Sequence, residues 1–231
     1  MSAGARTVVV SGGTGALGRA VVDAFLEAGD RVVAPWIVPA ERDALASARA
    51  DALREGRLAL PEADVAEQAG ADAVARAAGL AEVLVNGVGG FAGGSSVSET
   101  SLEVWDLMYR MNLRSAVALT RAILPGMLAR GRGVVVNVAS QAALTRPAGL
   151  AAYAAAKDGV LVLTDTLHQE VSERGLRVHA ILPSSIDTPA NRRAMPGADF
   201  SKWTPPSAIA GVVVWLASDA AACVRGARVP V

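Results

Sequence analysis

A tyrosine and a lysine four residues apart are the pair in this sequence best suited to proton transfer. Tyr153 and Lys157 lie in an alanine-rich stretch that predicts a helix, so both side chains project from one face. A free phenol has a pKa of about 10, and a neighbouring ammonium group favours the phenolate. We therefore expect Lys157 to lower the pKa of Tyr153, which makes the phenol a usable acid or base near neutral pH. An exposed helical pair without a chemical role is the alternative.

Two further polar residues are placed where they could act with this pair. Ser140 ends the fifth predicted strand, thirteen residues before Tyr153, so a strand end and the next helix can converge on one point. Its hydroxyl could hold a carbonyl oxygen while Tyr153 protonates it, although a turn or cap is its simpler role. Asn112 falls inside the predicted helix 101–130, where asparagine is a poor helix former. We expect Asn112 to have a polar role, such as holding a water molecule behind Lys157.

A glycine-rich turn follows the first predicted strand and precedes an amphipathic helix. Its Gly13-x-Gly15-x-x-Gly18 spacing matches the fingerprint of a dinucleotide-binding turn. Glycines let the backbone turn sharply and approach a pyrophosphate, whose charge meets the free N–H groups at the helix N-terminus. A tight turn without a ligand is the alternative. The residues predicted to contact a dinucleotide here are Ser11, Gly12, Gly13, Gly15, Ala16, Leu17 and Gly18.

The acid that usually binds the adenosine ribose is missing from the end of the second predicted strand. Dinucleotide-binding domains place Asp or Glu about 20 residues beyond the glycine turn, but this sequence has Trp36 there. An indole only donates hydrogen bonds, so Trp36 cannot accept one from a ribose 2′-hydroxyl. Trp36 either stacks near the adenine or packs as a surface aromatic, and Glu41 and Arg42 are close enough in sequence to bend back. The choice between NAD and NADP stays open.

Short β-branched runs alternate with longer alanine- and leucine-rich segments, as in a series of strand–helix–strand units. Strands are predicted at 7–10, 31–34, 57–60, 82–86, 133–138, 177–182 and 227–231. Helices are predicted at 17–28, 40–54, 66–78, 101–130, 151–174 and 205–217. Right-handed crossovers place such helices on both faces of the sheet. The pattern predicts an α/β fold of the Rossmann type with a doubly wound, parallel, seven-stranded sheet.

Two irregular stretches begin where predicted strands end. Residues 87–98 follow the fourth strand and residues 183–203 follow the sixth. Ligands of open parallel sheets bind beyond the carboxyl ends of the strands, and long loops in compact domains usually have a function. We expect both stretches to form the substrate site. In the second stretch, Met195, Phe200 and Trp203 either close over the site as a lid or pack on the core.

Composition narrows the class of protein. The 231 residues are 52% hydrophobic and 19% charged, and no Pro/Ser-rich or charge-dense linker divides them, so we expect a single domain, 1–231. The formal net charge is zero, which gives no electrostatic footprint for nucleic acid or an anionic membrane. The longest apolar stretch, 209–224, is interrupted by Ser218 and Asp219, and the first residues lack a signal-peptide pattern. We expect a cytoplasmic protein.

The cysteine and histidine content predicts no metal site. Cys223 is the single cysteine, which excludes an intrachain disulfide and a cysteine-cluster metal site. We expect it to be a small buried residue in an alanine-rich helix. His168 and His179 fall in a predicted helix and a predicted strand, and neither has neighbours that indicate metal binding.

In these residues the sequence resembles the short-chain dehydrogenase/reductase family over essentially its whole length. Asn112, Ser140, Tyr153 and Lys157 stand in the family's catalytic order and spacing. The other matching marks are the turn 11–18, Asp64 and Val65 after the third strand, Asn86 and Gly87 after the fourth, and Pro183 and Thr188 after the sixth. The resemblance implies that Tyr153 is the proton donor, Ser140 the substrate orienter, Lys157 the ribose anchor and Asn112 the water holder. It also implies that the cofactor is bound by the turn residues together with Trp36, Asp64, Val65, Asn86, Gly87, Tyr153, Lys157, Pro183 and Thr188.

The sequence departs from the family pattern at several positions, including Ser11, Val88 and Ser184, and none of these changes removes a catalytic group. The loop segments 89–94 and 182–205 are similar to those of dihydropteridine reductase.

The expected function is that of an NAD(P)-dependent oxidoreductase that moves a hydride between a nicotinamide cofactor and a small carbonyl or alcohol. Reduction of a quinonoid pterin is one alternative, and Ser140 counts against it. A non-catalytic dinucleotide-binding protein is another alternative, motivated by Trp36 and the altered loops. The family pairs its subunits through the helices predicted at 101–130 and 151–174, so we expect a homodimer or homotetramer. We expect the alanines at 151, 152 and 154–156 to form the close-packed face.

Overall fold

The computed structural model describes residues 5–231, so the first four residues of the predicted domain lie outside it. Over these residues the chain forms a parallel seven-stranded sheet in the order β3-β2-β1-β4-β5-β6-β7. The strands are β1 (Thr7–Ser11), β2 (Arg31–Val33), β3 (Leu58–Ala59), β4 (Val83–Asn86), β5 (Gly133–Val138), β6 (Leu176–Leu182) and β7 (Arg228–Pro230). The strand order reverses between β1 and β4, as the predicted doubly wound sheet requires. The predicted fold class is confirmed.

Helices cover both faces of the sheet. They are α1 (Ala16–Glu27), α2 (Pro39–Ala48), α3 (Ala50–Arg54), α4 (Gln68–Ala78), α5 (Leu102–Met108), α6 (Ser115–Arg130), α7 (Ala142–Thr145), α8 (Ala151–Val171), α9 (Pro189–Ala194) and α10 (Pro206–Leu216). Alternate residues of β1 explain the two layers. Val8 and Val10 pack in one core with α1 and α10, whereas Val9 packs in a second core with α4 and α6. The central strands are apolar on both sides because neither face meets water.

Two predicted helices are interrupted. The predicted helix 40–54 is divided into α2 and α3 at Arg49, whose backbone leaves the helical region and whose side chain binds Asp23 Oδ1 at 2.6 Å. The predicted helix 101–130 contains a π-helical segment, Tyr109–Arg114, between α5 and α6. Residues 183–203, predicted to be irregular, contain α9 and a 3₁₀ turn, Phe200–Lys202.

The prediction for Cys223 is wrong. Its side chain is exposed, and it lies in a turn after a short 3₁₀ helix, Asp219–Ala221. The reason is that α10 ends earlier than the apolar run does. The Arg177 guanidinium donates hydrogen bonds to the carbonyl oxygens of Leu216 and Ser218 at 2.6 and 2.9 Å and so caps the C-terminus of α10.

The alanine face expected between subunits is largely used within the chain. Ala152, Ala154 and Ala156 are buried, and Ala152 and Ala156 pack in a cluster with Met108 of α5. Their small side chains therefore serve the contact between α5 and α8. Among residues 5–231, no helix has both the length and the apolarity to cross a bilayer.

Candidate active site

A cleft of about 510 Å³ lies beyond the carboxyl ends of the central strands. That volume is in the range typical of small-molecule sites. Its lining includes the four predicted catalytic residues and most of the predicted cofactor contacts. From those predictions, the cleft is lined by Gly12, Gly15, Ala16, Leu17, Gly18, Trp36, Asp64, Val65, Gly87, Asn112, Ser140, Tyr153, Lys157, Pro183 and Thr188. Residues separated by up to 176 positions in sequence therefore meet in one site.

The glycine turn has a shape that larger residues would destroy. Gly12 has a φ of +69°, and a Cβ there would lie 2.7 Å from the Gly87 carbonyl oxygen. A Cβ on Gly18 would lie 2.6 Å from the Gly12 carbonyl carbon and closer still to its oxygen. The N-terminus of α1 has no side-chain cap and no acid in its first turn. Its free N–H groups and the closely approaching backbone fit the pyrophosphate of a dinucleotide.

Three predicted cofactor contacts, Ser11, Gly13 and Asn86, lie outside the cleft lining. The Ser11 hydroxyl accepts a hydrogen bond from Gly87 N at 3.1 Å, which ties the glycine turn to the segment after β4. Gly13 lets the turn pack tightly, since a Cβ there would lie 2.8 Å from Ala34 Cβ. These residues shape the cleft from beneath.

A buried polar network that the sequence analysis missed lies under the cleft. Asn86 Nδ2 donates to Thr120 Oγ1 at 2.9 Å and to Asn137 Oδ1 at 2.8 Å. Asn137 Nδ2 donates in turn to Thr164 Oγ1 at 2.8 Å. All four side chains are buried. The network ties β4 and β5 to α6 and α8, and an asparagine inside an otherwise apolar strand was the sequence signal for it.

Lys157 is a buried cation at the inner end of the cleft. Only 4% of it is exposed, and Nζ donates to the Val138 carbonyl oxygen at 2.8 Å. Burial lowers the pKa of Lys157 to about 8, because desolvation penalises the ammonium form. A Cβ on Gly89 would lie 3.2 Å from Lys157 Nζ and 2.8 Å from Asn112 Oδ1, so both side chains converge on this glycine.

Asn112 owes its position to the π-helical segment. Its Nδ2 donates to the carbonyl oxygens of Met108 and Gly90 at 3.0 and 3.1 Å, and Gly90 N donates to Oδ1 at 3.3 Å. The extra residue in a π turn leaves backbone groups free, and the Asn112 amide uses one of them. Asn112 thus fixes the segment after β4 beside Lys157, and the role of water holder stays a prediction.

Tyr153 and Ser140 face the cleft together. The Tyr153 ring meets the Phe91 ring edge to face, with centroids 5.1 Å apart. Burial raises the pKa of Tyr153, and the Ser140 hydroxyl acts in the opposite direction. The predicted lowering by Lys157 is therefore wrong, because desolvation dominates and the ammonium group binds the Val138 carbonyl oxygen. Ser140 Oγ also accepts from Ala142 N at 3.2 Å, so it caps α7 as well as lining the cleft.

The end of the cleft where the sequence predicts the adenosine contains Trp36 and an acid, Glu41, that the sequence left unassigned. Trp36 Nε1 donates to the Leu60 carbonyl oxygen at 2.9 Å, and the Arg42 guanidinium lies 4.9 Å from its ring centroid. The Thr14 hydroxyl donates to Glu41 Oε2 at 2.9 Å. Trp36 is thus held by packing and also lines the cleft, and Glu41 does bend back toward the glycine turn.

The remaining predicted contacts lie at the two sides of the cleft. Asp64 receives a hydrogen bond from Arg110 Nη2 at 2.6 Å on one oxygen and from Ala66 N at 2.9 Å on the other. Thr188 Oγ1 accepts from Asn191 N at 3.1 Å and caps the N-terminus of α9. The predicted lid residues Met195, Phe200 and Trp203 are not in the lining, and the Phe200 and Trp203 rings pack together at 4.7 Å.

Comparison with known proteins gives a consistent result. A family model described as short chain dehydrogenase matches residues 6–198. D-threitol dehydrogenase of Mycolicibacterium smegmatis is 34% identical over 233 residues, which cover 96% of this chain and 89% of that protein. The crystal structure of an oxidoreductase of the short chain dehydrogenase/reductase family from Burkholderia thailandensis has a TM-score of 0.86 and 31% identity, covering 98% of this chain and 91% of that one. Levodione reductase has a TM-score of 0.90 and 26% identity, covering 98% and 95%.

These relatives are named as dehydrogenases and reductases, so they favour neither the pterin alternative nor the non-catalytic one. The matched residues span the glycine turn and all four predicted catalytic positions. The chain therefore belongs to the short-chain dehydrogenase/reductase family, and it is an NAD(P)-dependent oxidoreductase that transfers a hydride between the nicotinamide cofactor and a carbonyl or alcohol substrate.

Proposed function

We propose that Tyr153 donates and accepts the proton in this reaction and that the substrate is a small, uncharged carbonyl compound or the corresponding alcohol. The observation that carries the proposal is the single cleft, which is lined by Ser140, Tyr153 and Lys157 at one end and by the glycine turn at the other. A dinucleotide bound along this cleft spans both ends.

The chain's own residues account for binding and orientation. The glycine turn and the N-terminus of α1 would hold the pyrophosphate, and Pro183, Thr188 and Lys157, which line the same cleft, would hold the nicotinamide half. The bound cofactor supplies or takes up the hydride at the substrate carbon. Ser140 Oγ holds the carbonyl oxygen, and Tyr153 Oη gives that oxygen its proton, so that the carbonyl becomes an alcohol. Oxidation of the alcohol reverses both transfers.

The electrostatics of the site suit proton donation by Tyr153. Burial raises the pKa of the Tyr153 phenol above its ordinary value and so favours the protonated form, which is the form that donates. The pKa of Lys157 falls to about 8 for the same reason. Lys157 lines the cleft, so its ammonium group would be a donor for the ribose hydroxyls of a bound dinucleotide. An ammonium group close to a phenol favours the phenolate, so Lys157 would also help Tyr153 to give up its proton.

The substrate end of the cleft favours an uncharged molecule. Phe91, Ile186 and Asn191 line it together with the catalytic residues. Among the described lining residues, Lys157 is the one cation. Arg192 of α9 is held by Asp187 through two hydrogen bonds, at 2.6 and 2.8 Å, so it is not free to bind a substrate carboxylate. Because Lys157 is assigned to the cofactor, an anionic substrate would lose its hydration without gaining an ion pair.

The test is oxidation of NADH and of NADPH against neutral ketones and aldehydes, matched carboxylated ketones, and quinonoid dihydropterin. We expect turnover with the neutral carbonyls. Tyr153→Phe should lower kcat by roughly 100- to 10,000-fold, as the loss of a proton donor does, and leave cofactor affinity almost unchanged. Tyr109→Phe is the matched control, because it removes a hydroxyl from the other, exposed tyrosine. Near-normal turnover by Tyr153→Phe, or turnover of the pterin alone, would contradict the proposal.

We expect the protein to form a homodimer or a homotetramer. Leu102 and Leu107 of α5 and Val162 of α8 are exposed apolar residues, which supports a homodimer or homotetramer formed through these helices. Sedimentation as a monomer at micromolar concentration would contradict it.

The single sheet supports the interpretation that residues 1–231 act as one NAD(P)-binding domain. We place the protein in the cytoplasm, which cell fractionation would test.

A further inference from the structure

A carboxylate with a fixed position lies at the adenosine end of the cleft. Glu41 is in the first turn of α2 and lines the cleft together with Trp36, Ile37 and Val38. The hydroxyl of Thr14, a buried residue of the glycine turn, donates to Glu41 Oε2 at 2.9 Å. The hydrogen bond joins two segments that are 27 residues apart. Glu41 is thereby held against the turn that binds the pyrophosphate.

The local backbone explains how the acid reaches this position. After β2, Ala34 N and Trp36 N still donate to the neighbouring backbone, at Ala59 O and Pro61 O, and Trp36 pairs with Glu62 in an isolated bridge. Val38 then precedes Pro39, the first residue of α2, and proline at this position starts a helix without losing a hydrogen bond. Glu41 follows in the first turn, where the helix dipole stabilises a negative charge. The acid comes from a helix rather than from the strand end.

No neighbouring cation neutralises this carboxylate within residues 5–231. Arg42, the next residue, pairs with Asp43 at 3.1 Å and lies over the Trp36 ring. The charged residues in the cleft lining over the described chain are Glu41, Asp64 and Lys157. Lys157 is at the opposite end, and Asp64 is bound to Arg110. The adenosine end therefore offers acceptors and negative charge, and its lining has no basic side chain.

We propose that Glu41 accepts a hydrogen bond from the adenosine ribose 2′-hydroxyl and makes the enzyme selective for NAD(H) over NADP(H). A hydroxyl can donate to the carboxylate that Thr14 fixes, whereas a 2′-phosphate would place two like charges side by side. Glu41 thus supplies the acceptor that Trp36 cannot. The inference rests on the proposed function, because it requires that the dinucleotide bind in this cleft.

The experiment is equilibrium binding of NADH and NADPH, each followed by nucleotide fluorescence, to the full-length protein and two variants. We expect the unaltered protein to bind NADH roughly 100-fold more tightly, because a hydrogen bond to a charged group and the avoided repulsion both contribute. Glu41→Gln keeps the size of the side chain and removes its charge. It should weaken NADH binding, strengthen NADPH binding and reduce the preference to about 5-fold or less.

Asp43→Asn is the matched control, since it removes one negative charge from the same helix at a side chain outside the cleft lining. It should leave the preference unchanged. A second variant, Thr14→Val, removes the hydroxyl that holds Glu41 and should reduce the preference in the same direction as Glu41→Gln. Measuring the unfolding temperature of each variant tests whether that variant is folded.

Four results would overturn the inference. They are equal affinities in the unaltered protein, a preference for NADPH, an unchanged ratio in Glu41→Gln, and an equal loss of preference in Asp43→Asn. The last result would show a general field effect rather than a contact at Glu41. Failure of the folded, unaltered protein to bind either nucleotide is a different outcome, because it would contradict the proposed function itself.

Discussion

Replacing one helical glycine by alanine should destabilise this protein, although the same change in another helix should stabilise it. Gly18 is in the first turn of α1, and Gly211 is an exposed residue of α10. A helix gains roughly 1 kcal/mol when alanine replaces an interior glycine, because glycine loses more backbone entropy on folding. Gly211→Ala should have this gain, since a Cβ there meets no atom within 4 Å.

At Gly18 a steric clash turns the expected gain in stability into a loss. A Cβ there would lie 2.6 Å from the Gly12 carbonyl carbon and 2.7 Å from Gly13 Cα, and both are backbone atoms that cannot rotate away. Ordinary contact begins at 3.4 Å, and the Gly12 carbonyl oxygen would be closer still than its carbon, so the turn must move by well over about 0.8 Å. Overpacking of this kind costs about 1–3 kcal/mol, and the upper end applies because backbone must shift. After the helical gain, Gly18→Ala should be destabilised by about 2 kcal/mol.

Thermal unfolding and NADH binding measure the two consequences. For a chain of this size, 1 kcal/mol corresponds to about 2–4 °C, so Gly18→Ala should lower Tm by about 4–8 °C and Gly211→Ala should raise it by about 2–4 °C. NADH affinity should fall by roughly 10-fold or more in Gly18→Ala, because the displaced turn no longer presents its N–H groups, and stay constant in Gly211→Ala. A Gly18→Ala protein with raised Tm and normal NADH affinity would refute the reasoning.

Three further predictions concern buried polar groups. Asn137→Ala removes one of the two partners of the Asn86 amide, which keeps Thr120, and one of the two partners of the Thr164 hydroxyl, which keeps the Val160 carbonyl oxygen. The free energy of unfolding from urea titration should therefore fall by about 1–3 kcal/mol, and a loss below about 0.5 kcal/mol would contradict the network. Burial, with Arg177 and His168 nearby, lowers the pKa of His179 to about 4 in the folded protein, whereas the pKa of a free histidine is 6.5. Neutral His179 therefore contributes stability at pH values above 6.5, and this contribution should be lost as the pH falls toward 4. Between about pH 7.5 and pH 5, the free energy of unfolding should fall by about 2 kcal/mol more in the unaltered protein than in His179→Gln. Glutamine is the chosen replacement because it keeps an acceptor for Ala227 N, and equal losses in the two proteins would exclude His179 as the cause. The difference in phenolate absorbance between the cofactor-free protein and Tyr153→Phe should develop above pH 10, because burial raises the pKa of Tyr153, and titration below about pH 9 would show that Lys157 dominates instead.

Much of the fold and the site could be predicted because their signals are local. The apolar runs of β1 and β4 identify strands that helices cover on both faces, and the glycine turn identifies the start of α1. The interruption at Arg49 could not be predicted, because it depends on Asp23 in another helix. The π-helical segment around Asn112 likewise depends on Gly90, a residue 22 positions away that binds the same side chain.

The direction of the Tyr153 pKa shift shows where reasoning from spacing fails. Spacing places Tyr153 and Lys157 on one helical face and predicts a lowered pKa for the phenol. The fold buries both groups and gives the Lys157 ammonium a different partner, the Val138 carbonyl oxygen. Desolvation therefore raises the pKa of Tyr153 and lowers the pKa of Lys157. The strand end that supplies the Val138 carbonyl oxygen and the core that buries both side chains come from distant parts of the chain, so neither is visible in the four-residue spacing.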